Sequence, residues 1–393
     1  MAARLSFLKS PVFIFIAYIV ITLIAGIHLV WLGPDHYKNY LIFRTSFYNL
    51  AGNHDLYSPQ SYGNTPLDFF KYSPAFSVLF APWALLPDRA GVIAWNLFNV
   101  ICLLAALRKL LPEGRPRWIA AWLMVIETLT SVQNCQSNIL MAALMIGAFN
   151  AFERKKPAAA ALFIALSAYI KIFSLAFLLL AWLYPGKKKF ISFFLLCTLA
   201  LFALPLLIIS CDQLIFLYKQ WVSLLKDDQQ ASWGLSVMGI IRSWSGYDPP
   251  KIWVQLSGLI LLMLPLINIK AYGERAFRLL FLSAMLIWVV IFNHRAESPT
   301  FIIAMAGIVT GYCSIRQPGI FDKGLIILAI VLISLSPTDI FPKFARDHYV
   351  VPYALKALPA LLWWMVFEYR MMVFPIKWYE PRSKLRPQQA AEN

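Results

Sequence analysis

The chain has 393 residues, of which 60% are hydrophobic and only 14% are charged. Soluble domains are about half apolar and one quarter charged, so this composition excludes an ordinary soluble protein and indicates a membrane protein. In so apolar a chain, the net charge of +16 indicates membrane orientation rather than nucleic-acid binding.

Continuous apolar segments recur along the chain. The first, residues 11–31, carries no Asp, Glu, Lys or Arg, and about 20 such residues suffice for a helix to cross a hydrocarbon core of about 30 Å. Continuous runs favour helices over a barrel, whose strands would alternate. The sequence therefore predicts an all-α polytopic bundle of about 12 transmembrane helices, near residues 11–31, 91–111, 117–131, 138–152, 157–171, 172–185, 189–210, 252–269, 277–293, 299–313, 323–336 and 353–373.

An even number of spans puts both termini on one side of the membrane. If that side is cytoplasmic, most of the 35 lysines and arginines lie inside, as the positive-inside rule requires. The large loop at residues 32–90 is then extracytoplasmic. We predict a single transmembrane domain over residues 1–378, followed by a basic cytoplasmic tail at 379–393.

The loop at 32–90 is the most polar part of the chain, and three of its aspartates are candidate general bases: Asp35, Asp55 and Asp68. Carboxylates gathered on one large loop of a membrane protein indicate chemistry on one side of the bilayer, a layout more typical of an enzyme than of a pore. Aspartate is also common in turns and caps, which is the alternative interpretation for each of the three.

Glu127 lies inside a predicted span, where an ionisable group is costly and calls for a reason. Amides follow it closely, and we take Gln133, Gln136 and Asn138, together with Glu127, as candidate groups for binding sugar hydroxyls. The alternative is a helix turn that satisfies its own backbone. Lys171, between two apolar runs, is a candidate ligand for a lipid phosphate, or a snorkelling lysine at a helix end.

The sharpest short cluster is Asn293-His294-Arg295-Ala296-Glu297-Ser298-Pro299. Arginine offers a planar fork to phosphate oxygens, and histidine titrates near neutral pH. We therefore predict that His294 and Arg295 bind a phosphate leaving group and that Glu297 contacts the sugar or the acceptor. Arg242, in an apolar and interfacial helix, is a further candidate phosphate ligand, or else a headgroup anchor.

Several of these pieces together resemble a known family. They are Asn39-Tyr40-Leu41-Ile42-Phe43, Asp55-Leu56-Tyr57, Phe70-Lys71-Tyr72-Ser73-Pro74, Gln133-Asn134-Cys135-Gln136-Ser137-Asn138, Ile170-Lys171-Ile172 and the 293–299 cluster. In order and spacing the chain resembles the GT-C superfamily of membrane glycosyltransferases. It is most similar to glycosyltransferase family 87, the polyprenyl-phosphate-mannose-dependent mannosyltransferase-like proteins, in a branch like those of Bacteroidetes.

The resemblance implies a GT-C-like bundle in the bacterial inner membrane. It implies inverting transfer of a hexose, mannose by the family name, from a polyprenyl-phosphate donor to a lipid or glycan acceptor on the extracytoplasmic face. The general base would be a first-loop aspartate, at Asp35 or, by a shifted alignment, at the position of Asn39; Asp55 and Asp68 stay open. The family's phosphate-handling histidine matches His294.

The partners expected are the lipid-linked donor, the acceptor and membrane lipids, with no nucleic acid, cofactor or metal. A flippase of lipid-linked sugar is the main alternative, because it would bind the same lipid. Transporters, however, hold their ligands near the bilayer midplane on repeated halves. A glycan polymerase or ligase is the other alternative, and shares the large-loop layout.

Overall fold

The computed structural model describes residues 7–228, 233–315 and 317–373, and the protein is mostly helical (77%). The predicted tail at 379–393 lies outside these residues. The α-helices follow one another along the chain as α1 Pro11–Leu32, α2 Lys38–Ala51, α3 Pro74–Leu79, α4 Ala81–Ala84, α5 Asp88–Leu110, α6 Arg115–Gln133, α7 Asn138–Glu153, α8 Pro157–Ile170, α9 Lys187–Ala203, α10 Cys211–Asp228, α11 Val237–Ser245, α12 Lys251–Met263, α13 Arg275–Ile291, α14 Phe301–Ser314, α15 Ile320–Ala329, α16 Lys343–Ala345 and α17 Ala357–Met372.

Shorter helical pieces extend or connect these elements. The longest is a 3-10 helix, Ile172–Leu183, between α8 and α9; others are Pro34–His36, Leu204–Leu207, Leu264–Ile267, Ile269–Gly273 and Ser298–Thr300, with π-helical turns at Ile330–Leu335 and Arg346–Val350. The prediction of an all-α protein is wrong in one detail. Two short antiparallel strands, β1 Gln60–Tyr62 and β2 Thr65–Leu67, form a hairpin in the first loop.

Each of the 12 predicted apolar segments contains a helix. Three helical segments are long and apolar enough to cross a membrane by themselves: Pro11–Leu32, Asp88–Leu110 and Lys187–Leu207. The others are shorter apolar helices, among them Asn138–Glu153 and Pro157–Ile170. A bundle with about 12 membrane crossings therefore stays a prediction, while the membrane character of the chain follows from these apolar helices.

Local signals explain where the first helix begins and ends. Ser10 caps α1 by accepting a hydrogen bond from the backbone N–H of Phe13, and Pro11 occupies the first helical position, where its missing N–H costs nothing. Gly33 ends the helix with a φ of +98°, in a region that glycine adopts without strain. The first loop thus begins where the apolar run ends.

The helices fall into a buried core and an outer layer. Nearly every side chain of α7, α13 and α14 is buried, including small residues that allow close helix packing. By contrast, α1, α9 and α12 expose large apolar side chains such as Val12, Leu199 and Ile260. Exposed apolar faces of this kind mark surfaces that contact lipid or another protein, so these helices lie at the outside of the bundle.

Two ion-pair clusters fix opposite ends of the bundle. At the end carrying the first loop, Arg44 of α2 pairs with Asp88 at the start of α5 over 2.7 Å, and Tyr62 of the hairpin also donates to Asp88. At the other end, Glu153 of α7 accepts from Arg278 over 2.7 Å. The helix α7 runs from the first end to Glu153, and at a rise of 1.5 Å per residue its 16 residues put the two ends roughly 20 Å apart.

Candidate active site

The turn between α6 and α7 carries the predicted amide cluster, and α5 holds it in place. Cys135, at its centre, has a φ of +51°, a conformation that costs a non-glycine residue about 1–3 kcal/mol. The indole N–H of Trp95 donates to the Cys135 carbonyl over 3.0 Å, and Asn99 Oδ1 accepts from the backbone N–H of Leu140 over 3.1 Å. The turn therefore presents its amides in one fixed orientation.

Four side chains form a continuous hydrogen-bonded chain at this end of the bundle, which we call the relay: Lys171, Asn138, Gln136 and Glu297. Lys171 Nζ donates to Asn138 Oδ1 over 2.7 Å, Asn138 Nδ2 donates to Gln136 Oε1, and Gln136 Nε2 donates to Glu297 Oε2 over 3.1 Å. Asn138 and Gln136 are buried, whereas Glu297 is exposed. The relay thus connects an ammonium to a carboxylate through two amides.

All four relay residues were sequence candidates, and the structure brings them together from three parts of the chain. Each amide points its oxygen toward the lysine and its nitrogen toward the glutamate. Hydrogen bonds aligned in one direction polarise and strengthen one another. The exposed Glu297 carboxylate is therefore held at a defined position at the protein surface.

The turn at 293–299 is fixed by its backbone as well as by the relay. Arg295 N–H donates to Asn293 Oδ1 over 2.9 Å, and Glu297 and Thr300 form a reciprocal capping box. The segment before α11 packs against it, with Leu235 N–H donating to the Ala296 carbonyl over 2.7 Å. Gly234 allows this contact, because a Cβ there would lie 2.6 Å from the His294 carbonyl oxygen.

Tyr72 of the first loop covers the lysine end of the relay. Lys171 Nζ lies 5.9 Å from its ring centre, Ser137 Oγ donates to its hydroxyl over 3.4 Å, and the Tyr57 hydroxyl donates to its backbone carbonyl over 3.0 Å. Burial raises the pKa of both tyrosines, Tyr72 and Tyr57, above the usual range. Both phenols are therefore neutral, and the first loop closes over the lysine without adding a competing negative charge.

A groove of about 570 Å³ opens beside Tyr57 on the outer surface, and we call it the charged groove. Asp68, Lys71 and Arg295 meet there from two distant parts of the sequence. Its lining consists of Tyr57, Asp68, Phe69, Lys71, Gln220, Ser223, Leu224, Asp227 and Arg295. The groove therefore places two carboxylates, Asp68 and Asp227, beside two cations, Lys71 and Arg295. The two cations are groups of the kind that bind phosphate oxygens.

The three candidate aspartates have different surroundings. Asp68 lines the charged groove, where its two oxygens accept from the Phe69 N–H over 2.8 Å and from Lys71 over 3.0 Å. Asp55 instead accepts from the backbone N–H of Tyr57, which is the ordinary turn role of an aspartate. Asp35 is as exposed as Asp68 and likewise pairs with a lysine three residues later, Lys38 over 3.1 Å, but it does not line the charged groove.

Three other candidates lie apart from the relay. Gln133 is exposed at the end of α6. Arg242 is half-exposed, pairs with Asp248 over 3.0 Å and does not line the charged groove. His294 follows Asn293 in the turn, and both of its ring nitrogens are shielded from solvent. Their predicted roles in binding sugar and phosphate stay predictions.

Glu127 is fully buried in α6, as expected for a residue inside a span, and its partner was missed. Lys356, at the start of α17, lies 3.3 Å from Glu127 Oε1 and donates to Ser298 Oγ over 2.7 Å. A signal was present in the sequence, because Lys356 interrupts the apolar run from 350 to 367 and a lone charge there requires a partner.

A second groove, which we call the apolar groove, adjoins the charged one on α10. It has a volume of about 450 Å³ and shares Ser223 with the charged groove. Its lining is mainly apolar and aromatic, with two lysines: Phe202, Ile215, Tyr218, Lys219, Val222, Ser223 and Lys226. Together the two grooves form an amphiphilic surface at the end of the bundle that carries the first loop.

Within the described ranges, no three His, Cys, Asp or Glu side chains gather as metal ligands would. The fold and this site define a helical membrane protein whose polar and ionic side chains converge at one end of an apolar bundle.

Comparison with known families identifies the class more closely. The model of glycosyltransferase family 87 matches residues 69–310, more than half of the chain. The chain belongs to glycosyltransferase family 87 and is a glycosyltransferase. The matched range includes the relay and the 293–299 turn, begins one residue after Asp68 and ends before Lys356. No curated protein matches the chain.

Proposed function

We propose that this glycosyltransferase transfers a hexose, mannose by analogy with the family name, from a polyprenyl-phosphate sugar to a hydroxyl of a lipid or glycan acceptor. The observation that carries the proposal is the charged groove, where Asp68 lies with Lys71 and Arg295. A carboxylate beside cations fits a reaction that removes a proton at one point and develops phosphate charge at another.

The apolar groove supports a lipid-linked donor over a soluble nucleotide sugar. Its apolar residues, such as Phe202 and Val222, offer a surface for isoprene units, and Lys219 and Lys226 also line it. Because the two grooves share Ser223, a phosphate in the charged groove and a chain in the apolar one would belong to one molecule. The lining chemistry thus matches an isoprenoid phosphate.

Asp68 is the aspartate we assign as general base. Its carboxylate is oriented by the Phe69 N–H and Lys71 and faces a groove wide enough for a sugar. The acceptor oxygen would lose its proton to Asp68 while it bonds to the anomeric carbon, on the face opposite the departing phosphate. The bond from that carbon to the phosphate oxygen breaks in the same step, so the configuration inverts.

Cations would stabilise the phosphate as it leaves. Arg295 lines the groove with Lys71, and Lys171 Nζ lies 5.9 Å from the ring centre of Tyr72, the residue that follows Lys71 in the first loop. His294 and Arg242 are the further candidates for this role. Fixed cations aimed at developing charge are usually the largest single contribution to catalysis of this kind.

The relay would hold the sugar or the acceptor. Glu297 offers an exposed carboxylate that accepts from Gln136, and the buried Glu127 is a further candidate, joined through Lys356 to Ser298 beside Glu297. Sugar hydroxyls bind well to paired donors and acceptors of this kind. Because the amides are already aligned, little reorganisation is needed when the sugar arrives.

We also propose the wider setting that the resemblance implies. The protein would be a GT-C-type enzyme of the bacterial inner membrane, with both termini in the cytoplasm and the relay at the extracytoplasmic face. The concentration of lysine and arginine in the opposite set of loops supports this orientation.

The test is sugar transfer in proteoliposomes. Purified protein would be given a radiolabelled hexose on a synthetic polyprenyl phosphate, or the same hexose on a nucleotide, together with a lipid extract as acceptor. We expect labelled product from the polyprenyl-phosphate donor alone. Product from the nucleotide sugar alone would overturn the proposed donor. Movement of the labelled donor across the bilayer without product would favour a flippase.

A further inference from the structure

Lys356 is an ionic residue in the interior of the bundle, outside the charged groove and the relay. Its side chain is 3% exposed and that of its partner Glu127 is 0% exposed, with 3.3 Å between Nζ and Oε1. The same ammonium donates to Ser298 Oγ over 2.7 Å and lies 5.1 Å from the centre of the Phe301 ring. The Lys356 ammonium thus bonds to two different elements, α6 through Glu127 and the 3-10 turn before α14 through Ser298.

These contacts join three elements that are far apart in sequence. Glu127 lies in α6, about 9 Å before its end at a rise of 1.5 Å per residue. Lys356 immediately precedes α17, and Ser298 begins the 3-10 turn before α14. Charges buried this deeply are expensive unless they are paired, so the pair is retained only if its geometry serves the protein.

Ser298 is the link between this pair and the site. It directly follows Glu297, the carboxylate end of the relay, and the Glu297–Thr300 capping box makes residues 297–300 one stiff unit. A shift of Ser298 therefore moves Glu297, and with it the hydrogen bond to Gln136. The relay fixes this turn from one side and Lys356 fixes it from the other.

Glu127 depends on Lys356 in turn. Its Oε1 pairs with the ammonium, and its Oε2 is buried with no hydrogen-bonding partner in the part of the chain that the structure describes. The carboxylate is therefore held by the lysine rather than by its own helix. This arrangement makes Lys356 the central member of the group.

We propose that Lys356 is a positioning residue of the transferase: the Glu127–Lys356 pair holds Ser298, and through Ser298 it sets the position of Arg295 and Glu297. The catalytic part of this proposal rests on the proposed function, whereas the positional part does not. A displacement of about 1 Å in a catalytic constellation costs about 100-fold in rate, so a loss of this size is expected when the contact is removed.

The experiment compares four variants with wild type, of which Lys356→Arg is the charge-conserving one. Ser298→Ala removes the contact with the turn and leaves the ion pair intact. Lys356→Met with Glu127→Leu replaces both charges by apolar groups, which avoids leaving one buried charge unpaired. Lys343→Met, at an exposed lysine in α16, is the matched control. The readouts are hydrogen exchange of residues 293–300, thermal unfolding, and kcat and KM for transfer.

In Ser298→Ala and in the double variant, we expect cooperative unfolding at a somewhat lower temperature, because a hydrogen bond to a buried ammonium is lost, and about tenfold faster exchange of 293–300. We also expect kcat to be about 100-fold lower with little change in KM, whereas Lys343→Met behaves as wild type. Lys356→Arg should have a higher kcat than the double variant, because it keeps the positive charge beside Glu127.

Wild-type exchange and kcat in both Ser298→Ala and the double variant would overturn the proposal, because the pair would then serve only to hold α17. If the double variant does not fold, Ser298→Ala decides by the same two readouts. If wild-type protein transfers no sugar, the proposed function fails, and hydrogen exchange still tests whether Lys356 positions the turn.

Discussion

At the scale of single residues, the relay owes its order to charge at both ends. Lys171 supplies a donor that must be satisfied and Glu297 a carboxylate that must accept, so the amides of Asn138 and Gln136 have only one favourable orientation. Because the two amides are neutral, the hydrogen-bonded chain links Lys171 to Glu297 without burying a further ion. The result is an exposed carboxylate whose position depends on a lysine on the far side of the turn.

Replacing Asn138 by leucine tests this dependence. The Lys171 ammonium would lose its 2.7 Å hydrogen bond, and bonds to charged groups contribute about 1.5–3 kcal/mol. We expect the free energy of unfolding to fall by about 2 kcal/mol and transfer to weaken, as measured by denaturation and by activity in proteoliposomes.

Gln133→Leu is the control for that variant, because Gln133 is an exposed amide at the end of α6. A surface change of this kind is worth less than about 0.5 kcal/mol. If Asn138→Leu and Gln133→Leu lowered the free energy of unfolding equally, the hydrogen bonds of the relay would contribute nothing to stability.

The sequence was sufficient to select candidate site residues but not to assign a role to each of them. Lys171, Asn138 and Glu297 could be selected because polar groups between apolar runs require partners. Nothing in the sequence distinguished Asp68 from Asp55, because both lie in turn-forming segments, and only the fold shows which one faces Arg295. Lys356 was missed because it was treated as part of an apolar run.

At the scale of elements, the close approach of two loops shapes the site. The segment before α11 lies against the 293–299 turn with Gly234 at the contact, where φ is +56°. This contact brings α10 and α11 to the side of the turn that carries Arg295. The position of the charged groove therefore depends on a glycine that lies outside it.

Gly234→Ala should disrupt this contact. The positive φ alone costs alanine about 1–2 kcal/mol, and the new Cβ would lie 2.6 Å from the His294 carbonyl oxygen, so the backbone must shift. Gly246→Ala is a matched control, because Gly246 has a φ of +69° and nothing within 4 Å. We expect Gly234→Ala to lower the free energy of unfolding and the transfer rate clearly more than Gly246→Ala; equal losses would contradict the contact.

The apolar groove on α10 leads to a prediction about donor length. Val222→Glu would place a carboxylate where we propose that isoprene units pack. We expect KM for a long-chain donor to rise at least tenfold, since about two buried methylene groups are worth that much. A donor with one or two isoprene units is the internal control and should show little change; an equal rise for both would contradict the groove's role.

Element boundaries were largely predictable, because apolar length and proline or glycine positions fix them. The first loop was expected at 32–90, and α1 ends at Leu32 while α5 begins at Asp88. The hairpin was not foreseen, because three-residue strands carry too little pattern to detect. The 3-10 form of Ile172–Leu183 was equally invisible, since its composition matches that of an apolar α-helix.

At the scale of the whole molecule, the two ends of the bundle differ in chemistry. The end with the first loop carries the relay and both grooves, whereas the other end is closed by Glu153 with Arg275 and Arg278. Basic loops surround the latter end, and in the orientation that we propose from the positive-inside rule this end faces the cytoplasm. Donor and acceptor would then both be used outside the cell membrane.

Cysteine labelling tests this orientation. In a cysteine-free background, Asn64→Cys at the hairpin turn should react with a membrane-impermeant maleimide in intact cells. Lys155→Cys, between α7 and α8, should react only after permeabilisation. The opposite pattern would place the site on the cytoplasmic face.

The most direct test of the account is the transfer rate of Asp68→Asn compared with Asp35→Asn and Asp55→Asn. Wild type and the three variants would be assayed with the same polyprenyl-phosphate hexose in proteoliposomes, after checking that each folds. Loss of a general base lowers the rate about 10²- to 10⁴-fold, and we predict such a loss for Asp68→Asn alone. Wild-type transfer by Asp68→Asn, with loss in Asp35→Asn or Asp55→Asn, would contradict the assignment of the charged groove as the catalytic centre.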